Sequence, residues 1–344
     1  MSKLETITVA QIGCGYWGPN LLRNFSSIEG CRVKYVVDSS EERRQFVQSH
    51  WPATQAVASV DQVLEDPEVQ AVVVVTPAAT HYQMARRAIE AGKHILVEKP
   101  FTMTVAEADD LAAIARPKGL KMMVGHTFIY HPAVKYIKRL IDQGDLGRIY
   151  CIYTQRLNLG VVRSDVNVMW NLAPHDVSIL CHFMGEAPLR VQAAGTAFLQ
   201  PGIEDVVFMN LNFAKSVHAN IHVSWLDPNK TRKVTVVGDK KMVVYDDVAD
   251  DKITIYDKGI DVPKLSDNPF DQSPPFKMTY RAGDIVIPKV PFKEPLRLEA
   301  EHFLASIRNN TEPVTGYEHA RGVVQVLEKA QLSLKTSTAL EINS

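Results

Sequence analysis

Short apolar runs alternate with amphipathic stretches over the first third of the chain. The runs are continuous and rich in β-branched residues, which is typical of strands covered on both faces, whereas the stretches repeat apolar positions at helical spacing. The predicted strands are residues 7–12, 33–37, 71–75, 94–97 and 121–124, and the predicted helices are residues 21–28, 41–49, 81–91 and 105–115. This order predicts a doubly wound parallel sheet of the α/β class.

The pattern changes after Gly125. A helix is predicted over 133–141, and the segments beyond it alternate apolar and polar residues between short turns, which predicts an open, mostly antiparallel sheet. These segments are residues 149–157, 189–197, 206–213, 217–225, 234–237 and 242–245. Residues 261–294, rich in Pro, Asp and Lys, predict an irregular surface excursion, and residues 295–309 and 319–335 predict two closing helices. We therefore predict two domains, 1–125 and 126–344.

Composition narrows the classes of partner. The 38 basic and 39 acidic residues nearly cancel, so we expect no nucleic acid or membrane partner, and a small molecule instead. The first residues do not resemble an export leader, and no apolar run is long enough to span a bilayer. The 4 cysteines are scattered without a C-x-x-C pair, which argues against zinc or disulfides. The prediction is a soluble, cytoplasmic protein.

A G-x-G-x-x-G motif follows the first predicted strand at once and opens the first helix. Gly13 permits a tight turn, Gly15 lets the backbone approach a pyrophosphate, and Gly18 lets the helix pack closely on the strand. The N–H groups at the start of the helix favour phosphate oxygens. This motif at the first strand-to-helix junction predicts a Rossmann domain that binds a dinucleotide.

Asp38 follows the second predicted strand, where an acidic residue accepts hydrogen bonds from the adenosine ribose. Its carboxylate would repel a 2′-phosphate, so NAD is favoured over NADP. Arg43 and Arg44, one helical turn further, keep NADP open. The alternative is that Asp38 merely caps the next helix.

With these motifs the chain resembles the Gfo/Idh/MocA family, named after glucose-fructose oxidoreductase and inositol dehydrogenase, over essentially its whole length. Four features carry the resemblance: the glycine motif at residues 13–18, Thr76-Pro77 with His81, Glu98-Lys99-Pro100 after a strand, and the pair His175-Asp176. The order of these features along the chain makes the resemblance specific.

The resemblance implies a second domain whose open sheet face commonly forms dimer or tetramer contacts, and hence a homodimer or homotetramer. It also implies a cis bond between Lys99 and Pro100. The residues expected to bind NAD are Gly13, Gly15, Tyr16, Trp17, Gly18, Asp38, Ser39, Thr76, Pro77, His81, Glu98, Lys99 and Pro100.

Oxidation of a secondary alcohol by hydride transfer needs a group that takes the hydroxyl proton. The family pattern gives this role to Lys99, at the carboxyl end of a strand where a Rossmann crevice opens. A free lysine has a pKa of about 10.4, so this role requires desolvation or a neighbouring positive charge, such as the nicotinamide ring. The alternative is an ordinary surface lysine.

His175 is the second catalytic candidate, and the resemblance implies that it exchanges the proton or hydrogen-bonds the reacting oxygen. Asn171 lies four residues earlier and would share a helical face with it, but Pro174 favours a helix that opens near His175. Many relatives carry Asp in place of Asn171, and an amide only orients its neighbours. No third ligand with suitable spacing accompanies the His-Asp pair, so we expect no metal.

The polar segment before His175 supplies candidates for binding the substrate. Arg156 and Arg163 would grip a carboxylate or a diphosphate, or would form ordinary surface salt bridges, and the residues leave both open. Tyr130 is a weaker candidate, with packing between the domains as its alternative. The full set of substrate candidates is Tyr130, Arg156, Asn158, Arg163, Trp170, Asn171 and His175.

Stretches around the glycine motif and around residues 170–176 are similar to those of family members that oxidise nucleotide sugars. The leading hypothesis is an NAD-dependent dehydrogenase that acts on a ring secondary alcohol of a nucleotide sugar such as a UDP-N-acetylhexosaminuronate. One alternative is the same chemistry on a free sugar or an inositol-like polyol. An alternative of another class is a non-catalytic NAD-binding regulator.

Overall fold

The computed structural model describes residues 5–261 and 278–342. Strands and helices alternate in its first part, as the sequence predicts. The elements there are β1 (Ile7–Ile12), α1 (Gly18–Ser26), β2 (Cys31–Val37), α2 (Glu41–His50), β3 (Gln55–Val57), α3 (Val60–Leu64), β4 (Ala71–Val74), α4 (His81–Glu90), β5 (His94–Val97), α5 (Val105–Ala115) and β6 (Met122–Val124). The predicted strands and helices are confirmed to within a few residues, and β3 and α3 are additional.

The second part is mostly β-structure, followed by two helices. Its elements are α6 (Pro132–Asp142), β7 (Ile149–Leu157), α7 (Val168–Met184), β8 (Arg190–Thr196), β9 (Val206–Asn212), β10 (His218–Ser224), β11 (Thr231–Gly238), β12 (Met242–Asp246), β13 (Ile253–Asp261), β14 (Thr279–Val286), α8 (Pro295–Arg308), α9 (Tyr317–Thr336) and β15 (Leu340–Glu341). The predicted helix near residue 133, the alternating strands and the closing helices are confirmed.

The first sheet is parallel, with the strand order β3-β2-β1-β4-β5-β6 in the described residues. This is the order of a dinucleotide-binding Rossmann sheet. All residues of β1 and β4 are buried, because hydrophobic clusters cover both faces of the sheet. The predicted α/β class is confirmed.

The second sheet has the strand order β14-β13-β12-β11-β7-β10-β9-β8-β15 in the described part of the chain. Its strands pair antiparallel except for β7 with β10, which are parallel. Along β9, Val207, Met209 and Leu211 are buried while the residues between them are not. This alternation confirms the prediction of a mostly antiparallel sheet with one open face.

The prediction that a helix opens at His175 is wrong. Helix α7 runs from Val168 to Met184 with Pro174 inside it. Most of its residues are buried, including Ala173 and Val177 on either side of the proline region. Burial over most of the helix circumference outweighs the loss of one backbone hydrogen bond at proline.

The prediction of an irregular excursion over residues 261–294 is also wrong in part. Residues Thr279–Val286 form β14, which pairs with β13 from Ile255 to Asp261. Most of β14 is exposed, so its sequence lacks the apolar alternation that indicates a strand. Residues 262–277 of this segment lie outside the described residues.

Packing divides the chain into two compact units. The first contains residues up to 131 together with 177–181 and 293–332, and the second contains the described residues among 132–176, 182–292 and 333–344. The predicted domain boundary after residue 125 stays a prediction.

Across the described residues, none of the helices combines the length and the apolar character needed to pass through a bilayer.

Candidate active site

The turn after β1 is shaped by its glycines. Gly13 has a φ of 96°, and a Cβ there would lie 2.5 Å from the carbonyl oxygen of Val75. A Cβ on Gly18 would lie 3.0 Å from Nε2 of Gln11 and from the Gly13 carbonyl oxygen, so α1 packs directly on β1. A Cβ on Gly15 would meet nothing within 4 Å. The backbone at Gly15 is therefore open to a ligand.

Asp38 holds this turn against the loop that precedes α2. One carboxylate oxygen accepts a 2.8 Å hydrogen bond from the Cys14 amide, and the other accepts a 2.9 Å bond from the Ser40 amide. The N-cap of α2 is Ser40, whose hydroxyl accepts from the Arg43 amide, so the alternative that Asp38 caps this helix is wrong. The Arg44 guanidinium donates 2.8 Å hydrogen bonds to the carbonyl oxygens of Asp38 and Ser39.

His81 links the loops that follow β4 and β5. Its Nδ1 lies 2.7 Å from the carbonyl oxygen of Pro100, its Nε2 lies 2.8 Å from that of Thr76, and it is 1% exposed. Burial lowers the pKa of His81 and the charge of Lys99 lowers it further, while the two carbonyl groups act in the opposite direction. A neutral imidazole carries one N–H, so His81 donates to one of these two carbonyl oxygens. The Thr76 hydroxyl also accepts from the Thr80 hydroxyl at 2.8 Å.

Lys99 follows β5 and is half-buried. Its peptide bond to Pro100 is cis, as the resemblance implies. The Lys99 amide donates to Oε2 of Glu98 at 3.2 Å, and the Trp17 indole donates to Oε1 of Glu98 at 2.8 Å. Glu98 therefore joins the glycine-rich turn to the end of β5, whereas Tyr16 in the same turn is exposed.

Three of the predicted loops share one edge of the first sheet. Gly13, Thr76 and Lys99 follow β1, β4 and β5, and these strands are parallel neighbours in the order β1-β4-β5. Ligands of open α/β sheets bind at this carboxyl edge. The edge thus gathers the glycine turn and Lys99 within one compact unit.

In the second unit, Asn171 and His175 lie four residues apart on α7 and so share a helical face. Oδ1 of Asn171 accepts a hydrogen bond from the Trp225 indole at 3.2 Å. Asp176, the neighbour of His175, is 1% exposed. Its carboxylate accepts from Nε and Nη2 of Arg156 at 2.9 and 3.3 Å.

The two arginines of the substrate prediction differ in their surroundings. The side chains of Arg156 and Asp176 are 5% and 1% exposed, so a substrate anion would have to displace Asp176 to reach this guanidinium. The structure favours the ion-pair alternative for Arg156, although the pair is buried and not on the surface. Arg163 pairs with Asp165 at 2.7 and 2.6 Å, and its side chain is 38% exposed, so it is accessible to a ligand.

The remaining substrate candidates differ in their exposure. Tyr130 is 3% exposed with its hydroxyl 3.3 Å from the Thr315 hydroxyl, and burial raises its pKa. Trp170 is 5% exposed. Asn158 is half-buried, and its backbone N–H donates to the Ser224 carbonyl oxygen at 3.2 Å.

Comparison with protein families decides the class of this molecule. Residues 7–126 match an oxidoreductase family with an NAD-binding Rossmann fold, and residues 134–244 match the GFO/IDH/MocA C-terminal domain. The chain belongs to the Gfo/Idh/MocA oxidoreductase family. The first unit of this Gfo/Idh/MocA protein therefore carries an NAD-binding Rossmann fold.

Relatives of this Gfo/Idh/MocA protein include sugar and polyol dehydrogenases. UDP-N-acetylglucosamine 3-dehydrogenase of Acidithiobacillus ferrooxidans is 34% identical over 187 residues, which cover 54% of this chain and 57% of that protein. The NAD(+)-dependent scyllo-inositol 2-dehydrogenase of Bacillus subtilis is 25% identical over 320 residues, which cover 90% of this chain and 88% of that protein. The chain spans only about half to three fifths of the length of several curated relatives that it matches.

Solved structures show the same fold. GenD2 from gentamicin A biosynthesis, crystallised in complex with NAD, has a TM-score of 0.82 at 22% identity, and the match covers 100% of this chain and 98% of that chain.

Sequence reasoning missed polar residues that the structure places beside the predicted ones. Trp225 contacts Asn171, and Glu299 of α8 is fully buried and is acted on by the charge of Glu98. The sequence does not indicate these partners, because they lie on segments that are far apart in the chain. Among the described residues, no group of three or more His, Cys, Asp or Glu side chains is arranged to hold a metal ion. All four cysteines are free thiols.

Proposed function

We propose that this Gfo/Idh/MocA protein is an NAD-dependent dehydrogenase that transfers a hydride between a ring secondary alcohol of a sugar and the nicotinamide. The observation that carries the proposal is the shared sheet edge, at which the glycine-rich turn after β1 and Lys99 after β5 meet. A phosphate-binding turn and a proton-exchanging group on one edge are what such a transfer requires.

The residues present fit NAD. Gly15 leaves its backbone open where a pyrophosphate would lie, and the N-terminus of α1 adjoins it. Asp38 lies at the end of β2, where it would meet the adenosine ribose, and Ser39 beside it is exposed. Thr76, Pro77 and the Glu98-Lys99-Pro100 segment would line the remainder of the cofactor. NAD supplies the hydride acceptor when it is bound.

Lys99 and His175 would manage the proton. With NAD bound as the hydride acceptor, oxidation of the alcohol would also require a basic side chain to take the hydroxyl proton. We assign that exchange to Lys99 and His175. Asn171, whose Oδ1 is bonded to Trp225, would orient the substrate or the imidazole.

A nucleotide sugar such as a UDP-N-acetylhexosaminuronate is the substrate class that we propose. Two observations support it: the identity of 34% to a UDP-N-acetylglucosamine dehydrogenase, and the accessible guanidinium of Arg163, which suits a diphosphate. The inositol dehydrogenase match over 90% of the chain favours a free polyol as the second candidate. Replacement of Arg163 should impair turnover only of a nucleotide sugar.

The test is the absorbance of reduced nicotinamide during incubation of the protein with NAD and a panel of UDP-sugars, free sugars and polyols. With the substrate so found, Lys99→Ala should reduce kcat by roughly 10² to 10⁴, because a positioned acid or base contributes about this factor. NAD binding, followed by titration of the protein fluorescence, should change little.

Lys230→Ala is the matched control, because Lys230 is an exposed lysine in the turn before β11. It should keep the wild-type kcat. Full turnover by Lys99→Ala would remove Lys99 from the mechanism. NAD binding without reduction by any member of the panel would instead favour a non-catalytic NAD-binding regulator.

We also propose a cytoplasmic location and a homodimeric or homotetrameric assembly. Neutral bulk charge and four free thiols are compatible with the location. The exposed aromatic residues Tyr153 and Phe208 on the second sheet support the assembly.

A further inference from the structure

Two carboxyl groups of the first unit, those of Glu98 and Glu299, are buried, and the charge of Glu98 acts on Glu299. Glu98, at the end of β5, is 8% exposed, and Glu299, on α8, is fully buried. The Glu98 carboxyl group packs against the backbone after β6, since a Cβ on Gly125 would lie 3.1 Å from its oxygens. Burying either glutamate in its ionised form costs free energy, and two ionised carboxylates in one apolar region would also repel each other strongly.

The contacts of Glu98 favour its ionised form. It accepts hydrogen bonds from the Trp17 indole at 2.8 Å and from the Lys99 amide at 3.2 Å. Burial raises the pKa of Glu98, and the charge of Lys99, the Lys99 amide and Trp17 all oppose that rise. A carboxylate with two donors and an adjacent cation keeps its negative charge at a lower cost than one without them.

Glu299 lacks such support. Among the described residues, neither of its carboxyl oxygens has a hydrogen-bond partner of good geometry. Burial raises the pKa of Glu299 well above its ordinary value, and the charge of Glu98 raises it further. The Thr127 hydroxyl acts in the opposite direction and is the smallest of these three influences.

Two titratable groups of the segment after β6, Tyr130 and His126, interact with Glu299 and with Lys99 respectively. Tyr130, from the segment after β6, lies near enough to Glu299 that an ionised Glu299 would raise the pKa of that phenol. His126, in the same segment, lies near Lys99 and is 2% exposed. Burial, His319 and Lys99 lower the pKa of His126 well below its ordinary value, so this imidazole is neutral. The cation that faces Glu98 is Lys99.

We propose that Glu299 is held as a neutral carboxylic acid beside ionised Glu98, so that the pair carries one negative charge, and that Glu98 positions Lys99. The proposal rests on the proposed function for its link to catalysis. Glu98 and Glu299 are positioning residues in it, because they act through Lys99.

A single negative charge suits the proposed role of Lys99. A carboxylate beside an ammonium group stabilises the charged form, and a second carboxylate would stabilise it further, which would hinder proton release near neutral pH. The proton on Glu299 avoids that second charge. Glu98 meanwhile fixes the Lys99 backbone to Trp17 of the glycine-rich turn, so the pair sets both the place and the charge of the amine.

The test is infrared spectroscopy of the resting protein in D₂O at neutral pH, as the difference between wild type and Glu299→Gln. A protonated carboxyl group absorbs at higher frequency than a carboxylate, so the difference should contain the band of the protonated form. Glu301→Gln is the matched control on the same helix, because Glu301 is half-exposed and accepts from Arg297 at 2.8 Å. That control should lose a carboxylate band. A carboxylate band lost in Glu299→Gln would overturn the proposal.

Unfolding measured against pH gives a second readout. If Glu299 is protonated in the fold, its unfolding releases a proton above the ordinary pKa of glutamate, about 4.3. The unfolding constant of wild type, divided by that of Glu299→Gln, should then rise about tenfold per pH unit near neutrality. A ratio that does not change with pH would show that Glu299 is ionised in the folded protein, and would overturn the proposal.

The third readout uses the pH profile of kcat/KM. Glu98→Gln should move the limb that reports Lys99 to lower pH by about one unit or more, because loss of the carboxylate favours the neutral amine. Glu299→Gln, whose amide copies a neutral carboxyl group, should leave that limb in place. If Glu299→Gln moved this limb toward lower pH, that result would contradict the proposal that Glu299 is neutral. The infrared and unfolding readouts need neither NAD nor sugar, so a failure of the proposed function would leave them intact.

Discussion

Single residues of the first unit serve the fold and the proposed site together. Asp38 ties the amides of Cys14 and Ser40 to the end of β2, and it also presents the negative charge that would meet the adenosine ribose. Arg44 bonds the carbonyl groups of Asp38 and Ser39 and so lies at the same place. The balance of these charges should decide between NAD and NADP.

Asp38→Asn should weaken the preference for NAD. The amide keeps one acceptor oxygen for the backbone but removes the charge that repels a 2′-phosphate, while Arg44 remains. We expect the ratio of kcat/KM for NADP to that for NAD to rise about tenfold, equivalent to about 1.4 kcal/mol. Steady-state kinetics with both cofactors measures this ratio. Asp61→Asn is the control, because Asp61 is an exposed residue of α3. An unchanged ratio in Asp38→Asn would count against the ribose contact.

The position of Lys99 was accessible from the sequence, whereas the burial of Glu299 was not. Lys99 lies two residues after the apolar strand β5, and the parallel order places the carboxyl ends of such strands at one edge. Glu299 shares a helical face with the apolar residues Leu296 and Phe303, but a glutamate is rarely fully buried, so its residue type argues for exposure. Its burial depends on what packs against α8, and that information lies in distant segments.

At the scale of elements, β7 and α7 are joined by the ion pair of Arg156 and Asp176. Both side chains are almost fully buried and the contact is bidentate. A buried charge that loses its partner cannot be hydrated, so single replacements should be costly. The exposed pair of Arg163 and Asp165 has similar geometry and provides a comparison.

Asp176→Ala should lower the free energy of unfolding by about 3–5 kcal/mol, because Arg156 would remain charged and buried. Asp165→Ala should cost at most about 1 kcal/mol, as is usual for exposed pairs. Urea unfolding, followed by a signal from the second unit, measures the free energy of unfolding of both variants. The double replacement of Arg156 by Met and Asp176 by Leu should recover much of the lost free energy of unfolding. Equal costs for Asp176→Ala and Asp165→Ala would refute the argument.

The elements that the sequence pattern did not predict lack the periodicity by which elements are recognised. Helix α7 is apolar around most of its circumference, so it lacks the one-sided periodicity that indicates a helix, and Pro174 resembles a helix end. Strand β14 is exposed and lacks apolar alternation. Strand β3 is only 3 residues long. Helical or alternating periodicity detects elements with one buried face, whereas α7 is buried around most of its circumference, β14 is mostly exposed and β3 is short.

At the scale of the whole molecule, the open face of the second sheet is the feature that favours assembly. Tyr153 on β7 and Phe208 on β9 are 43% and 44% exposed, and the Phe208 ring stacks on His222 of β10 with centroids 4.1 Å apart. These strands are neighbours in the order β7-β10-β9. Exposed aromatic residues on one sheet face are typical of a subunit contact.

Phe208→Asp should therefore dissociate the proposed dimer or tetramer, because it would bury a charge in the contact. We expect the dissociation constant, measured by sedimentation equilibrium, to rise at least about tenfold, equivalent to about 1.4 kcal/mol. Val314→Asp is the control, since Val314 is 50% exposed in the loop between α8 and α9. A monomeric wild-type protein would show that this face serves another purpose.

The imidazole of His81, which bridges the carbonyl groups of Thr76 and Pro100, has a consequence for motion. Outward motion of either loop would expose this buried ring or break the one hydrogen bond that its N–H donates. Local opening of the two loops is then a single event, and their backbone amides should exchange with solvent at a common rate. Entry of a dinucleotide along this edge and exposure of Lys99 beside it would then be limited by the same opening rate.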